Sequence, residues 1–159
     1  MTEIIHDGLM LLALVAFASL AVVDFRTLRI RNRHVLGMMV LAVAALALRS
    51  RDVLLPDLAA GLLLFALGFV FWWLRMMGAG DAKLYLPLGV LVGWSGLAVF
   101  ALLLLPVSLL VLVVIRTGGR WLPRGRVTER LEILSQTRRI PYGVPMALAA
   151  MGAIVARWL

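Results

Sequence analysis

Two aspartates stand at the ends of apolar segments. Asp24 closes the uncharged run from Gly8 to Val23, and Asp81 follows Gly78-Ala79-Gly80 just ahead of the run that begins at Leu84. A carboxylate beside hydrocarbon is costly to ionise, so acids placed this way line a polar cavity, pair with a base or perform chemistry. If the two converge, they cannot both ionise cheaply: one keeps its proton while the other stays charged. Such a pair can activate water while protonating a peptide leaving group. Each acid also has a plainer role open to it. Asp81 suits the N-cap of a following helix, and Asp24 suits an interfacial pair with Arg26 or Arg29.

The elements that must position these acids are membrane helices. The 159 residues are 64% hydrophobic and 15% charged, with a mean hydropathy of +1.04. The apolar residues run on without the polar face that a water-facing helix needs, which implies an all-α polytopic bundle formed by residues 1–159 as one membrane domain. Cysteine is absent, which excludes thiolate nucleophiles, disulfides and cysteine-ligated metal, and His6 and His34 are too few for a histidine-rich metal site. No cofactor is expected.

Uncharged runs extend over Gly8 to Val23, Val35 to Leu48, Leu58 to Leu74, Leu84 to Ile115 and Tyr142 to Ala156. The fourth is too long for one span, which needs about 20 residues, and Gly93-Trp94-Ser95-Gly96 offers a turn within it. Charge decides between five spans and six. Cytoplasmic loops collect Lys and Arg, and six spans gather the basic residues from Arg26 to Arg33, Arg75 and Lys83, and Arg116 to Arg139 on one side. Only Arg49, Arg51 and Arg157 fall on the other, the first two offset by Asp52 and Asp57. Both termini are therefore expected outside. The first run is read as a retained helix and not a cleaved signal, because no Lys or Arg precedes it.

On this topology residues 116–140 form a basic cytoplasmic loop lying on the surface, more helix-like around Glu129 and Glu132. Its charge suits topology and anionic lipid headgroups. Nucleic acid is not an expected partner of the net charge of +8, since the arginines flank membrane ends without an aromatic-studded surface. Gly89 and Gly93 have the spacing that lets membrane helices approach closely, within the chain or between copies. Trp72, Trp73, Trp94, Trp121 and Trp158 fall near span ends as interfacial anchors, and His34 is read as interfacial as well. Asp24 and Asp81 both emerge at the cytoplasmic face, at one depth.

The wording around each acid is informative. Asp24-Phe25-Arg26-Thr27-Leu28-Arg29-Ile30-Arg31-Asn32, Gly78-Ala79-Gly80-Asp81-Ala82-Lys83-Leu84 and Ile140-Pro141-Tyr142-Gly143 occur in that order. The chain resembles, over essentially its whole length, the type IV prepilin peptidases, membrane aspartyl proteases of the GxGD type. The resemblance implies that Asp24 and Asp81 are the catalytic pair, which hydrolyses a peptide through one water without metal or covalent intermediate. Gly78 and Gly80 would give room, Lys83 would stabilise Asp81 or meet an acidic substrate side chain, and Asn32 and Tyr142 would assist. The first motif departs from the family, since Arg31 stands where proline is common, leaving the turn there less constrained.

The resemblance further implies a prepilin or pseudopilin substrate, cut at the cytoplasmic face of a bacterial inner membrane between a basic leader and a hydrophobic helix. Lipids surround the enzyme, and pilus or secretion machinery is a possible partner. Lacking cysteines and the insertion of the bifunctional members, the chain looks like a compact peptidase of Tad/Flp-type systems without methyltransferase activity. Two other classes compete: a small proton- or cation-coupled transporter subunit, whose acids belong near the bilayer midplane, and a noncatalytic scaffold of a secretion complex that tolerates loss of either acid.

Overall fold

The computed structural model describes residues 2–121, 123, 125–137 and 140–157. Among these residues, seven α-helices follow in order: α1 (Thr2–Thr27), α2 (Asn32–Ala47), α3 (Arg51–Trp73), α4 (Ala79–Val92), α5 (Leu97–Trp121), α6 (Arg126–Thr137) and α7 (Gly143–Ala156). The long run from Leu84 breaks where its glycines permit, with a short 3-10 turn at Trp94–Gly96 between α4 and α5. Gly93 makes that break with φ of 72°, a left-handed value that glycine adopts without a Cβ clash.

Among the described residues, three segments are long and apolar enough to cross a membrane: Ile4–Thr27, Arg51–Trp73 and Trp94–Gly118; Asn32–Ala47 and Gly143–Ala156 are shorter apolar helices. The protein is thus an all-α membrane bundle. Its outward surface is apolar, with Leu102 and Leu105 on α5 each about three-quarters exposed, as expected where lipid and not water is the solvent. At the centre lies α4, whose Leu84, Leu88, Leu91 and Val92 are buried. Its closest neighbour is α3. A Cβ on Gly89 would stand 2.7 Å from the Ala60 carbonyl oxygen, so this glycine serves packing within the chain.

Residues 116–140 are helical where expected, around Glu129 and Glu132, and depart from the expected loop in their first part. The α5 helix continues through Arg116 to Trp121, and α6 occupies much of the remainder. Leu131 and Leu134 of α6 are buried together with Ile115 of α5, and Phe25 and Leu28 at the end of α1 pack against them. An apolar stripe at helical spacing has found a partner, which turns a basic connection into a docked helix. Arg124, Arg138 and Arg139 of this segment lie outside the described residues, as do Trp158 and the side chains of Arg120 and Trp121. Trp72, Trp73 and Trp94 are exposed at helix ends, in keeping with interfacial anchoring.

Opposite to α6, the other end of the bundle buries charge. Arg49 pairs with Asp57, and their side chains are 4% and 3% exposed. Asp57 also accepts the Trp94 backbone N–H at 2.7 Å. Arg49 donates to the Val90 carbonyl at 3.3 Å and Arg157 donates to the Val92 carbonyl at 2.7 Å. Two cations thereby satisfy carbonyls in the last turn of α4, at the negative end of its dipole.

Candidate active site

Asp24 lies in the last turn of α1, and only 3% of it is exposed. Its carboxylate is not tied to Arg26 or Arg29; among the described residues the ion pair is the distant one between Arg49 and Asp57. Instead, Asp24 Oδ2 accepts the backbone N–H of Gly143 at 2.8 Å. The Gly143 amide lies at the start of α7, where a helix end favours negative charge, while the next amide, that of Val144, donates to the Pro141 carbonyl at 3.2 Å. Glycine is needed at 143, because a Cβ there would sit 2.8 Å from Asp24 Oδ2 and 3.0 Å from Ile30 Cδ1.

Asp81 is not the N-cap of α4; Gly78 holds that position, with φ −71° and ψ 148°. The carboxylate lies in the first turn and reaches back toward the Gly78 amide, the way an acid at the third helical position satisfies a free donor. A Cβ at Gly78 would lie 3.1 Å from Asp81 Oδ2. Gly80 permits a different approach: its missing side chain would stand 2.9 Å from the Ile30 carbonyl oxygen. The glycine motif therefore lets the start of α4 sit directly against the turn after α1.

That packing brings the acids together. Both line one cavity of about 550 Å³ at the α6 end of the bundle, together with Leu28, Arg29, Ile30, Arg31, Gly78, Gly80, Ile140 and Tyr142. The cavity's volume falls within the range of ligand-binding clefts, roughly 300–1,000 Å³. Among the described residues no three His, Asp or Glu side chains gather as a metal site.

Of the other residues singled out from sequence, Gly78, Gly80 and Tyr142 line the cavity, whereas Asn32 and Lys83 do not. Asn32 opens α2 with an exposed side chain, and Lys83 is exposed on the first turn of α4. His34, in the first turn of α2, likewise stands outside the lining. Two features escaped the sequence reading. Arg29 and Arg31 form part of the cavity wall, and their alternation in a short turn was the available sign. Arg130 Nε donates to the Phe25 carbonyl at 3.0 Å, a contact that no local pattern announces.

A family model, the type IV leader peptidase family, matches residues 10–115. No curated protein and no solved structure is significantly similar to the chain. The matched segment covers about two thirds of the sequence and contains both aspartates and the glycine motif. With those acids facing one cavity in a bundle of apolar helices, the chain belongs to the type IV leader peptidase family, membrane aspartyl endopeptidases that act on prepilin-type substrates.

Proposed function

We propose that this chain removes the basic leader from prepilins or pseudopilins of Tad/Flp-like systems, using Asp24 and Asp81 as its catalytic pair. The observation that carries this reading is the shared cavity: two carboxylates 57 positions apart face one space at one end of the bundle. Asp24, whose Oδ2 accepts the Gly143 N–H at the start of α7, is taken as the anion. It takes a proton from the attacking water while Asp81 donates one to the departing amine. Ionised and neutral carboxyls are then exchanged, and the pair is reset when Asp24 gives up its proton and Asp81 regains one through water, with no net proton uptake. Tyr142 flanks the dyad at the cavity wall, Gly78 and Gly80 leave room for peptide, Asn32 holds the turn before α2, and outward-facing Lys83 is available to an acidic substrate side chain.

The membrane arrangement that suits this chemistry has six spans, α1 to α5 and α7, within one domain covering residues 1–159. Both termini lie outside, and α6 rests on the cytoplasmic surface of a bacterial inner membrane. Cutting at that face leaves the substrate's hydrophobic helix in the bilayer. The chain has no cysteine, so single cysteines at Ser50 and Thr117 test the arrangement. An impermeant maleimide should label the first in intact cells and the second only after permeabilisation.

The chemistry is tested by co-expressing the chain with a tagged prepilin from its own genome and following leader removal by gel shift. Wild type should cleave, while Asp24→Asn and Asp81→Asn should accumulate in the membrane without cleaving. Cleavage that survives both substitutions would overturn the dyad. A transporter role is disfavoured because the acids sit at one end of the bundle, whereas a transport site belongs near its middle.

A further inference from the structure

A second cavity, of about 240 Å³, lies beside the one that holds the aspartates, and Tyr142 lines both. Its walls are Phe71 of α3, Met76 and Met77 of the connection to α4, Tyr85 of α4, Leu104 and Ser108 of α5, and Pro145 and Met146 of α7. The hydroxyl of Ser108 is spent on its own helix, donating to the Leu104 carbonyl at 2.5 Å. The groove is therefore apolar in effect. It stays open because α4 and α5 barely touch, and Phe71 and Met76 at its rim are exposed on the outer surface of the bundle.

Its direction is significant. Tyr85 stands four residues after Asp81 on α4, which places it on the same face and one helical turn, about 5.4 Å, deeper into the bundle. The groove thus begins at the catalytic cavity and leads into the membrane interior. A volume below the roughly 300–1,000 Å³ of small-molecule pockets suits side chains projecting from a helix laid alongside. Methionines at three positions supply a lining that adapts to differing side-chain shapes.

We infer that this groove binds the apolar helix of the substrate immediately after the scissile bond. The inference rests on the peptidase reading of the site. Tyr142 then separates two environments: the leader and scissile peptide occupy the polar cavity, and the first turns of the hydrophobic helix lie against Phe71, Tyr85 and Met146. The depth of that seat aligns the bond with Asp24 and Asp81, so apolar shape after the cut contributes to specificity.

The test places a photo-crosslinking amino acid at Ser108 of the full chain carrying Asp81→Asn, co-expressed in native membranes with a tagged prepilin. Crosslinks should map to the first turns of the prepilin helix, and a crosslinker at lipid-facing Leu105 should give none. In the otherwise wild-type enzyme, Ser108→Phe should raise KM for prepilin by about tenfold or more with kcat changed by less than about threefold. Leu105→Phe should leave both unchanged. Crosslinks confined to lipid, or an unaltered KM in Ser108→Phe, would overturn the groove assignment while leaving the dyad intact. Cleavage persisting in Asp24→Asn and Asp81→Asn would instead sink the peptidase reading beneath it.

Discussion

The backbone N–H of Gly143 donates to Asp24 Oδ2 at 2.8 Å, joining the start of α7 to the end of α1 across 119 positions of sequence. The contact sets one carboxyl oxygen of Asp24 against the first amide of α7. It also ties Asp24 to the helix farthest from it along the chain.

Because the carboxylate fills the space a Cβ would need, Gly143→Ala should displace Asp24 without unfolding the bundle. Misplacement on the order of 1 Å can cost about 10²-fold in rate. Leader removal by Gly143→Ala should fall by roughly that amount while membrane levels stay normal. Quantitative gel-shift kinetics against an immunoblot of the membrane fraction would check this, and near-wild-type cleavage would refute the positioning role.

Arg130 is a positioning residue for the same acid. The chain leaves the helical path at Leu28, whose φ is 53°, so the last carbonyls of α1 need partners from elsewhere. Arg130 supplies one for Phe25, the residue after Asp24. Arg130→Ala leaves that carbonyl short of a donor, at a cost of about 1–3 kcal/mol. Expected is a loss in kcat of about tenfold with little change in KM, partly restored in Arg130→Lys. A fall in KM-dependent binding alone would point to a substrate contact in place of a positioning one.

At the opposite end, the Arg49–Asp57 pair should matter to stability more than to chemistry. Removing one partner of a buried pair typically costs about 3–5 kcal/mol, whereas replacing both with apolar residues is often far milder. Asp57→Leu should lower the unfolding midpoint in detergent, and Arg49→Met combined with Asp57→Leu should recover part of it. Equal destabilisation of the single and double variants would show that the lost hydrogen bonds to Trp94 and Val90 dominate.

Gly80→Val tests the close approach of α4 to the turn after α1. Its side chain would press on the Ile30 carbonyl from 2.9 Å, a backbone atom that cannot swing aside. Activity should fall by at least tenfold, on the order expected when a reacting group is displaced. Gly78→Ala should be milder, since the nearest atom there, Asp81 Oδ2 at 3.1 Å, ends a side chain that can rotate. The reverse ranking in a kinetic comparison would contradict this packing.

Much of the site was legible because membrane helices obey a simple alternation. Once apolar runs and basic loops were counted, Asp24 and Asp81 had to reach the same end of the bundle, and Gly93-Trp94-Ser95-Gly96 had to break the longest run. Both features are present in the structure. The plainer alternatives failed for reasons that sequence does not carry: Gly78 takes the N-cap in place of Asp81, and Asp24 faces the Gly143 amide in place of arginine.

Hydropathy and charge by themselves thus determined the class of protein and the shared end of the two acids, since transfer into lipid is a property of each residue and its neighbours in sequence. Only tertiary structure decided that Arg130 meets Phe25 and that α6 docks on the end of α1. It also decided that Arg49, Asp57 and Arg157, which read as loop charges, close over the end of α4. Those contacts depend on which helices become neighbours. Helix neighbours are selected by side-chain packing and hydrogen-bond satisfaction in three dimensions, and the periodicity of a single segment does not encode them.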